Sequence, residues 1–306
     1  MDSFIITTDN ISKSFGKNLV LNELNLKVPQ GISGFVGRNG SGKTTTIGIL
    51  LGLLWPNRGK ATVFGLDSWD DSYKIRSKLG VMHETNAYPG GFTSKRFLEH
   101  LAQIYGIAQA DERINALLKD VGLWDAREKP IKAYSAGMTR RLGLAQALIG
   151  NPELAILDEP TANIDPTGRA TLLNMIKEMN KEHGTSFLIS THILSDLEKV
   201  CSWLSIIDAG KIVDQCPVKD LAEKYSANTY KIVVSNPQLL VEKLEAAGIV
   251  EKIWVEGDII YCQVKDQTTF YSEVPKIAAS LKLQLKSFQH MLGTIEEIYA
   301  KTVGGN

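Results

Sequence analysis

The chain has 306 residues, enough for a sizeable core and, at roughly 150 residues per domain, for about two domains. Its 43% hydrophobic and 22% charged residues are ordinary for a soluble globular protein. Lys plus Arg equals Asp plus Glu at 34 each, so net charge supplies no argument for a nucleic-acid partner.

The start, Met1 to Asp9, lacks a basic region followed by a long apolar run, so no secretory signal is expected. No stretch of the chain reaches the roughly 18 apolar residues of a spanning helix, so work at a membrane would need a partner. β-rich runs at Phe4–Thr8 and Val20–Val28 lead to an apolar segment at Ile32–Val36. A glycine-rich turn follows, then a helical pattern over Thr44–Leu54, closed by Pro56-Asn57-Arg58-Gly59. From Thr93 to about Gly122 the pattern is helical and polar, a helical insertion within an α/β core. Leu154–Leu157 reads as a buried parallel strand. After it the pattern predicts a helix over Arg169–His183, a strand over Ser186–Ser190 and a helix over Leu194–Cys201. Leu204–Ile207 and Ile212–Asp214 read as a hairpin. Beyond Ala227 the predicted order is strand (Tyr230–Val234), helix (Pro237–Ala247), strands (Lys252–Val255, Ile259–Val264), helix (Thr268–Leu281) and strand (Leu283–Phe288). That β-α-β-β-α-β order suggests a small ferredoxin-like domain, with a last helix over Thr294–Thr302. The three cysteines (Cys201, Cys216, Cys262) are widely spaced and form neither a disulfide framework nor a metal motif; they favour a reducing compartment and read as small core hydrophobes.

Gly37-Arg38-Asn39-Gly40-Ser41-Gly42-Lys43-Thr44 satisfies G-x-x-x-x-G-K-[ST] between a predicted strand and a predicted helix. Glycines let the backbone curl so that successive N–H groups point at phosphates, and the helix N-terminus adds partial positive charge. Lys43 is placed to reach β/γ-phosphates and the Thr44 hydroxyl to ligate Mg²⁺; Gly37 to Thr45 form the candidate nucleotide segment. Leu154-Ala155-Ile156-Leu157 delivers Asp158 and Glu159 at a strand end. Asp158 would hold Mg²⁺ through water, and Glu159 would polarise the attacking water. Between these elements, Tyr134-Ser135-Ala136-Gly137-Met138 opens a long helix. Ser135 can cap it, and the exposed N–H groups then form a second phosphate-binding surface.

Together these motifs resemble the ATP-binding subunit of an ABC transporter, over about residues 4–225. The resemblance implies an α/β fold, a P-loop NTPase core over 1–227 with a helical subdomain inserted at about 85–150, followed by a small C-terminal α+β accessory domain at 228–306. It implies ATP and Mg²⁺ as cofactors. It also implies a homodimer in which Ser135, Ala136 and Gly137 of one copy face the nucleotide held by the other. Asp165, in Asn163-Ile164-Asp165-Pro166, would help couple the sites. His192 resembles the family's histidine that contacts the γ-phosphate, and Phe15 sits where the family stacks an aromatic on adenine. The signature departs from the commoner Leu-Ser-Gly-Gly-Gln, although Ser135 and Gly137 survive. Glu84 occupies the place of the family's usual glutamine, where it can offer an oxygen to Mg²⁺ but adds negative charge near triphosphate.

A GTPase reading fails, because Asn180-Lys181-Glu182-His183 lacks the aspartate of the guanine reader. Chromosome-type ATPases place a long coiled coil between the motifs, and none separates residues 44 and 134. The expected partner is a separate integral membrane permease, with the chain cytoplasmic and peripheral on the inner face of the membrane; no nucleic acid is expected. The C-terminal domain and the ending Leu292 to Tyr299 resemble exporter-type subunits for drugs, peptides, lipids or polysaccharides. The alternative is a non-transport ABC ATPase acting on a soluble complex.

Overall fold

The chain enters through Phe4–Phe15 (β1), Asn18–Leu24 (β2) and Lys27–Pro29 (β3), whose Ile5, Ile6, Ile11, Leu21, Leu24 and Val28 are buried in one core cluster. This computed structural model describes residues 4–85, 87–89, 91–220, 229–264 and 266–291. Next comes Ile32–Val36 (β4), buried at every position, and then the helix Lys43–Leu50 (α1). Arg58–Val63 (β5) and Leu66–Asp67 (β6) extend the first sheet, in the order β2-β1-β5-β6 with β3 also on β1. A short helix, Ser72–Arg76 (α2), leads to Leu79–Met82 (β7).

The helical insertion contains Ser94–Tyr105 (α3), Ala110–Asp120 (α4) and Ala136–Leu148 (α5). Thr93 caps α3 by accepting the Arg96 N–H at 3.2 Å. The chain returns through Leu154–Asp158 (β8), Pro166–His183 (α6), Ser186–Thr191 (β9) and the hairpin Trp203–Asp208 (β10) and Lys211–Pro217 (β11). Six strands make the main sheet in the order β11-β10-β4-β9-β8-β7, parallel from β10 to β7 with β11 antiparallel at its edge. β4, β8 and β9 are buried on both faces, as near-continuous apolar runs in a parallel sheet should be. Their C-terminal ends lie side by side, which places the loops after residues 36, 158 and 191 along one rim, where α/β sheets bind ligands.

β7 also reaches this rim, and it packs directly beneath α5. A Cβ at Gly80 would stand within the van der Waals shell of the Ala147 carbonyl oxygen and 3.1 Å from Pro152. Gly80→Ala is therefore expected to destabilise the protein by about 1–3 kcal/mol through overpacking. Urea unfolding reads this directly, and an unshifted midpoint would mean that β7 and α5 part at no cost.

Several elements differ from the pattern read in the sequence. The helix expected to run to Leu54 stops at Leu50, because Gly52 takes a left-handed conformation (φ 64°) and the Leu53 N–H turns back to the Gly48 carbonyl at 2.9 Å. The helix expected over Leu194–Cys201 is only a 3₁₀ turn at Leu194–Asp196. The strand expected over Val20–Val28 is divided into β2 and β3, with Glu23 at φ 52° beside the break. β5, β6, α2 and β7 were not foreseen.

The chain divides into compact units at Val218/Lys219, ahead of the boundary at 227 read from the sequence. The second unit contains Thr229–Val234 (β12), Pro237–Ala246 (α7), Lys252–Glu256 (β13), Ile259–Gln263 (β14), Gln267–Ser280 (α8) and Leu285–Met291 (β15). Its four strands are antiparallel in the order β13-β14-β12-β15, the ferredoxin-like arrangement. Tyr230, Ile232, Leu240, Leu244, Ile260, Cys262, Phe270 and Val274 form its core. Burial raises the thiols of both Cys201 and Cys262, the latter to about 12, in keeping with small apolar core residues. The helix expected over Thr294–Thr302 and the ending Leu292 to Tyr299 lie outside the described residues. Among those residues no helix is long and apolar enough to cross a membrane.

Candidate functional site

The loop between β4 and α1 is shaped by its glycines. Gly40 (φ 82°) and Gly42 (φ 110°) adopt conformations that L side chains rarely reach, and Gly42 caps α1 without a side-chain acceptor. The first N–H groups of α1 are thus left for an anion. Lys43 is 6% exposed; its Nζ donates to the Gly37 carbonyl at 2.7 Å and lies 3.4 Å from Glu159 Oε1. A cation so enclosed is costly unless paired, and the carboxylate and carbonyl supply that pairing.

Asp158 ends β8 with both carboxylate oxygens engaged. Oδ2 accepts from Thr44 Oγ1 at 3.3 Å, and Oδ1 accepts a short bond from Ser190 Oγ on neighbouring β9. Glu159 follows in the left-handed region (φ 48°), an expensive conformation for a glutamate and one that recurs at functional sites. Its N–H donates to the Ser190 carbonyl at 3.0 Å, and its Oε2 lies 3.0 Å from His192 Nδ1. A carboxylate only accepts, so His192 donates to Glu159 through Nδ1. Ser190 enters the sequence reading only as the end of the predicted strand Ser186–Ser190; its hold on Asp158 becomes visible once β8 and β9 pair.

A cavity of about 270 Å³ gathers Val20, Asn39, Gly40, Gly42, Lys43, Thr44, Thr45, Glu84 and Glu159. Gly37, Arg38 and Ser41 belong to the same loop but do not line the cavity; a Cβ at Gly37 would meet the Ile207 carbonyl at 2.5 Å. Phe15 also stays outside it, at the end of β1, half-exposed with the Lys13 ammonium 5.3 Å from its ring. The donor set suits a small hard cation: Thr44 Oγ1 and Asp158 Oδ2 converge, and Ser41 Oγ is buried without a hydrogen-bond partner.

A separate depression of about 480 Å³ gathers Ser135, Ala136, Gly137, Arg141, Asn163, Ile164, Asp165 and Thr167. Ser135 caps α5 by accepting the Met138 N–H at 3.3 Å, and Asp165 caps α6 by accepting the Gly168 N–H at 3.1 Å. Two helix N-termini therefore open on one surface, with aligned dipoles that favour negative charge. Among the described residues, none lines both this depression and the first cavity.

A phosphate loop at the end of a parallel strand, beside a strand-end Asp-Glu pair, defines a P-loop NTPase core, and the inserted helices give it the ABC ATPase fold. A profile of the ABC transporter family matches residues 21–162. The chain is 30% identical to the bacitracin transport ATP-binding protein BcrA of Enterococcus faecalis over 99% of its own length and 97% of the relative's. It is 28% identical to the Nod factor export ATP-binding protein I of Cupriavidus pinatubonensis over 98% and 91%. A solved ATP-binding subunit of an ABC transporter superposes with a TM-score of 0.64 at 26% identity, covering 72% of this chain and 93% of that one. The chain belongs to the ABC transporter family, as an ATP-binding subunit with ATPase activity.

Proposed function

We propose that two copies of this chain clamp MgATP between the Lys43–Thr44 cavity of one and the Ser135–Gly137 helix terminus of the other, and that hydrolysis drives export by a separate integral membrane permease. The observation that supports the sandwich is that the Lys43–Thr44 cavity and the Ser135–Asp165 depression share no described residue. A two-fold axis would bring each surface against its complement.

In this reading Gly37 to Thr45 cradle the phosphates, Lys43 neutralises the β/γ oxygens, and Phe15 stacks on the base. Thr44 and Asp158 would hold Mg²⁺, with Glu84 offering a further oxygen; the ion would supply charge neutralisation to the triphosphate. Glu159 orients and polarises the attacking water. His192, fixed through Nδ1 by Glu159, presents Nε2 to the phosphate. Ser135, Ala136 and Gly137 close the cage in trans, and Asp165 links the two sites. Hydrolysis then rests on positioning and preorganised charge rather than on covalent chemistry. Loss of the phosphate bridge lets the copies part.

Export is favoured by the relative named for Nod factor export and by the one named for bacitracin transport, both matched over nearly the full chain. The chain would then sit on the inner face of the membrane, held there by the permease. Affinity capture of a tagged Glu159→Gln chain from detergent-solubilised cells with MgATP tests this reading. A stoichiometric, strongly apolar multispan protein is the expected companion. Recovery of soluble complexes alone would overturn the transport assignment.

A further inference from the structure

Arg140 lies on α5, downstream of Ser135, and is only 8% exposed. A helix-borne guanidinium this deeply buried needs acceptors, and it finds them on main chain rather than on a carboxylate. Its Nη1 donates to the Glu84 carbonyl at 2.6 Å, and its Nε donates to the Ala162 carbonyl at 3.3 Å. Glu84 stands on the loop after β7. Ala162 closes the turn after β8 by donating its N–H to the Glu159 carbonyl at 3.2 Å. One side chain of the signature helix thus holds both loops that bring a carboxylate to the phosphate cavity. Burial pulls the Arg140 pKa down, and the nearby carboxylates of Glu84 and Glu159 oppose that pull. Arginine suits the task because its planar fork spans two acceptors, whereas a lysine offers a single point of donation.

We propose that Arg140 is a positioning residue for ATP hydrolysis. It locks the Glu84 loop and the Glu159–Ala162 turn to the helix that begins at Ser135, and its charge offsets that of Glu84. The proposal rests on the site reading given under Proposed function. When α5 moves against a neighbouring copy, Arg140 carries the displacement to both loops. Glutamate at position 84 is then tolerated because a buried cation stands behind it.

Steady-state ATP hydrolysis by the purified full-length chain tests this. Arg140→Gln is expected to lower kcat by about 10- to 100-fold, the loss of hydrogen bonds from a charged group, with KM changed by no more than about twofold. Arg140→Lys, which keeps the charge without the fork, should fall between the two. Adding Glu84→Gln to Arg140→Gln should recover about threefold or more in kcat, because coupled neighbours do not add. A kcat for Arg140→Gln within about twofold of the parent overturns the proposal. So does a rise in KM with kcat unchanged, the mark of a merely structural role. Strict additivity with Glu84→Gln removes the charge offset. Should Arg140→Gln not fold, an Arg140→Lys chain with parental kcat overturns the proposal instead. Glu159→Gln in the same assay separates the two failures. Full turnover there would sink the site reading itself, whereas its loss beside a normal Arg140→Gln would sink only the role of Arg140.

Discussion

Replacing Glu159 by glutamine is expected to leave ATP binding intact and to lower turnover by about 10²–10⁴-fold. The geometry explains why binding and turnover should separate. In the proposed reading the phosphate contacts come from the loop before α1 and from Lys43; the substitution removes the carboxylate charge 3.4 Å from Lys43 Nζ but keeps its bond to the Gly37 carbonyl. Glutamine has the size of glutamate and can still accept from His192 Nδ1, which lies 3.0 Å from the present carboxylate. What disappears is the negative oxygen proposed to polarise water. The side chain is buried, and its backbone is held in the left-handed region by bonds to Ser190, so it is aimed rather than free to search. Strain of this kind is retained where geometry is worth more than stability. Single-turnover and steady-state ATPase measurements, together with equilibrium nucleotide binding, check the split. Near-wild-type turnover would remove Glu159 from the central role. Weakened binding with normal turnover would instead make it a ligand-holding residue.

The phosphate loop and the strand-end acids were legible because their chemistry is local. The run from Gly37 to Thr44 needs only its own glycines, its own lysine and the helix it starts. The same holds for Ser135, a cap for its own helix, whereas Asp165 came from the resemblance and its cap on α6 is seen only in the structure. β5 was hidden for the opposite reason. Arg58-Gly59-Lys60-Ala61 reads as the continuation of a turn, and only pairing with Thr8, Asp9 and Ser12 of β1 turns it into a strand. β7 is short and holds Gly80, a residue that weakens strand patterning; its place is set by the close approach of α5. Arg140 was the least visible of all. A charged residue in the sequence of a helix reads as solvated surface, and nothing in Thr139-Arg140-Arg141 distinguishes a buried guanidinium from an exposed one. Its partners are carbonyls at positions 84 and 162, far apart in sequence and brought together only when β7 and β8 pair in the sheet. The ferredoxin-like order of the second unit was legible for a different reason: its strands and helices are short, regular and separated by turn residues such as Glu256-Gly257-Asp258.

Placing arginine at Ser135 is expected to spare nucleotide binding by a single copy and to abolish ATP-driven dimerisation. Ser135 stands at the mouth of the depression between α5 and α6, away from the residues that line the Lys43 cavity. A bulky cation there leaves the first surface untouched and fills the second. It also removes the cap that accepts the Met138 N–H, at a cost of about 1 kcal/mol, too little to unfold the helix within a packed subdomain. The expected readings are an unchanged equilibrium affinity for ATP, a monomer by light scattering with MgATP in the Glu159→Gln background, and hydrolysis lowered by about two orders of magnitude or more, as expected when positioning and preorganised charge are lost together. Comparison with Ser135→Ala sharpens the result. Alanine loses the cap but adds no bulk, so dimers that survive in alanine and vanish in arginine place Ser135 at a surface covered by the second copy. Dimers that persist in Ser135→Arg would show that one chain completes its own phosphate cage, and the sandwich would have to be abandoned while the assignments of Lys43, Thr44, Asp158 and Glu159 stood.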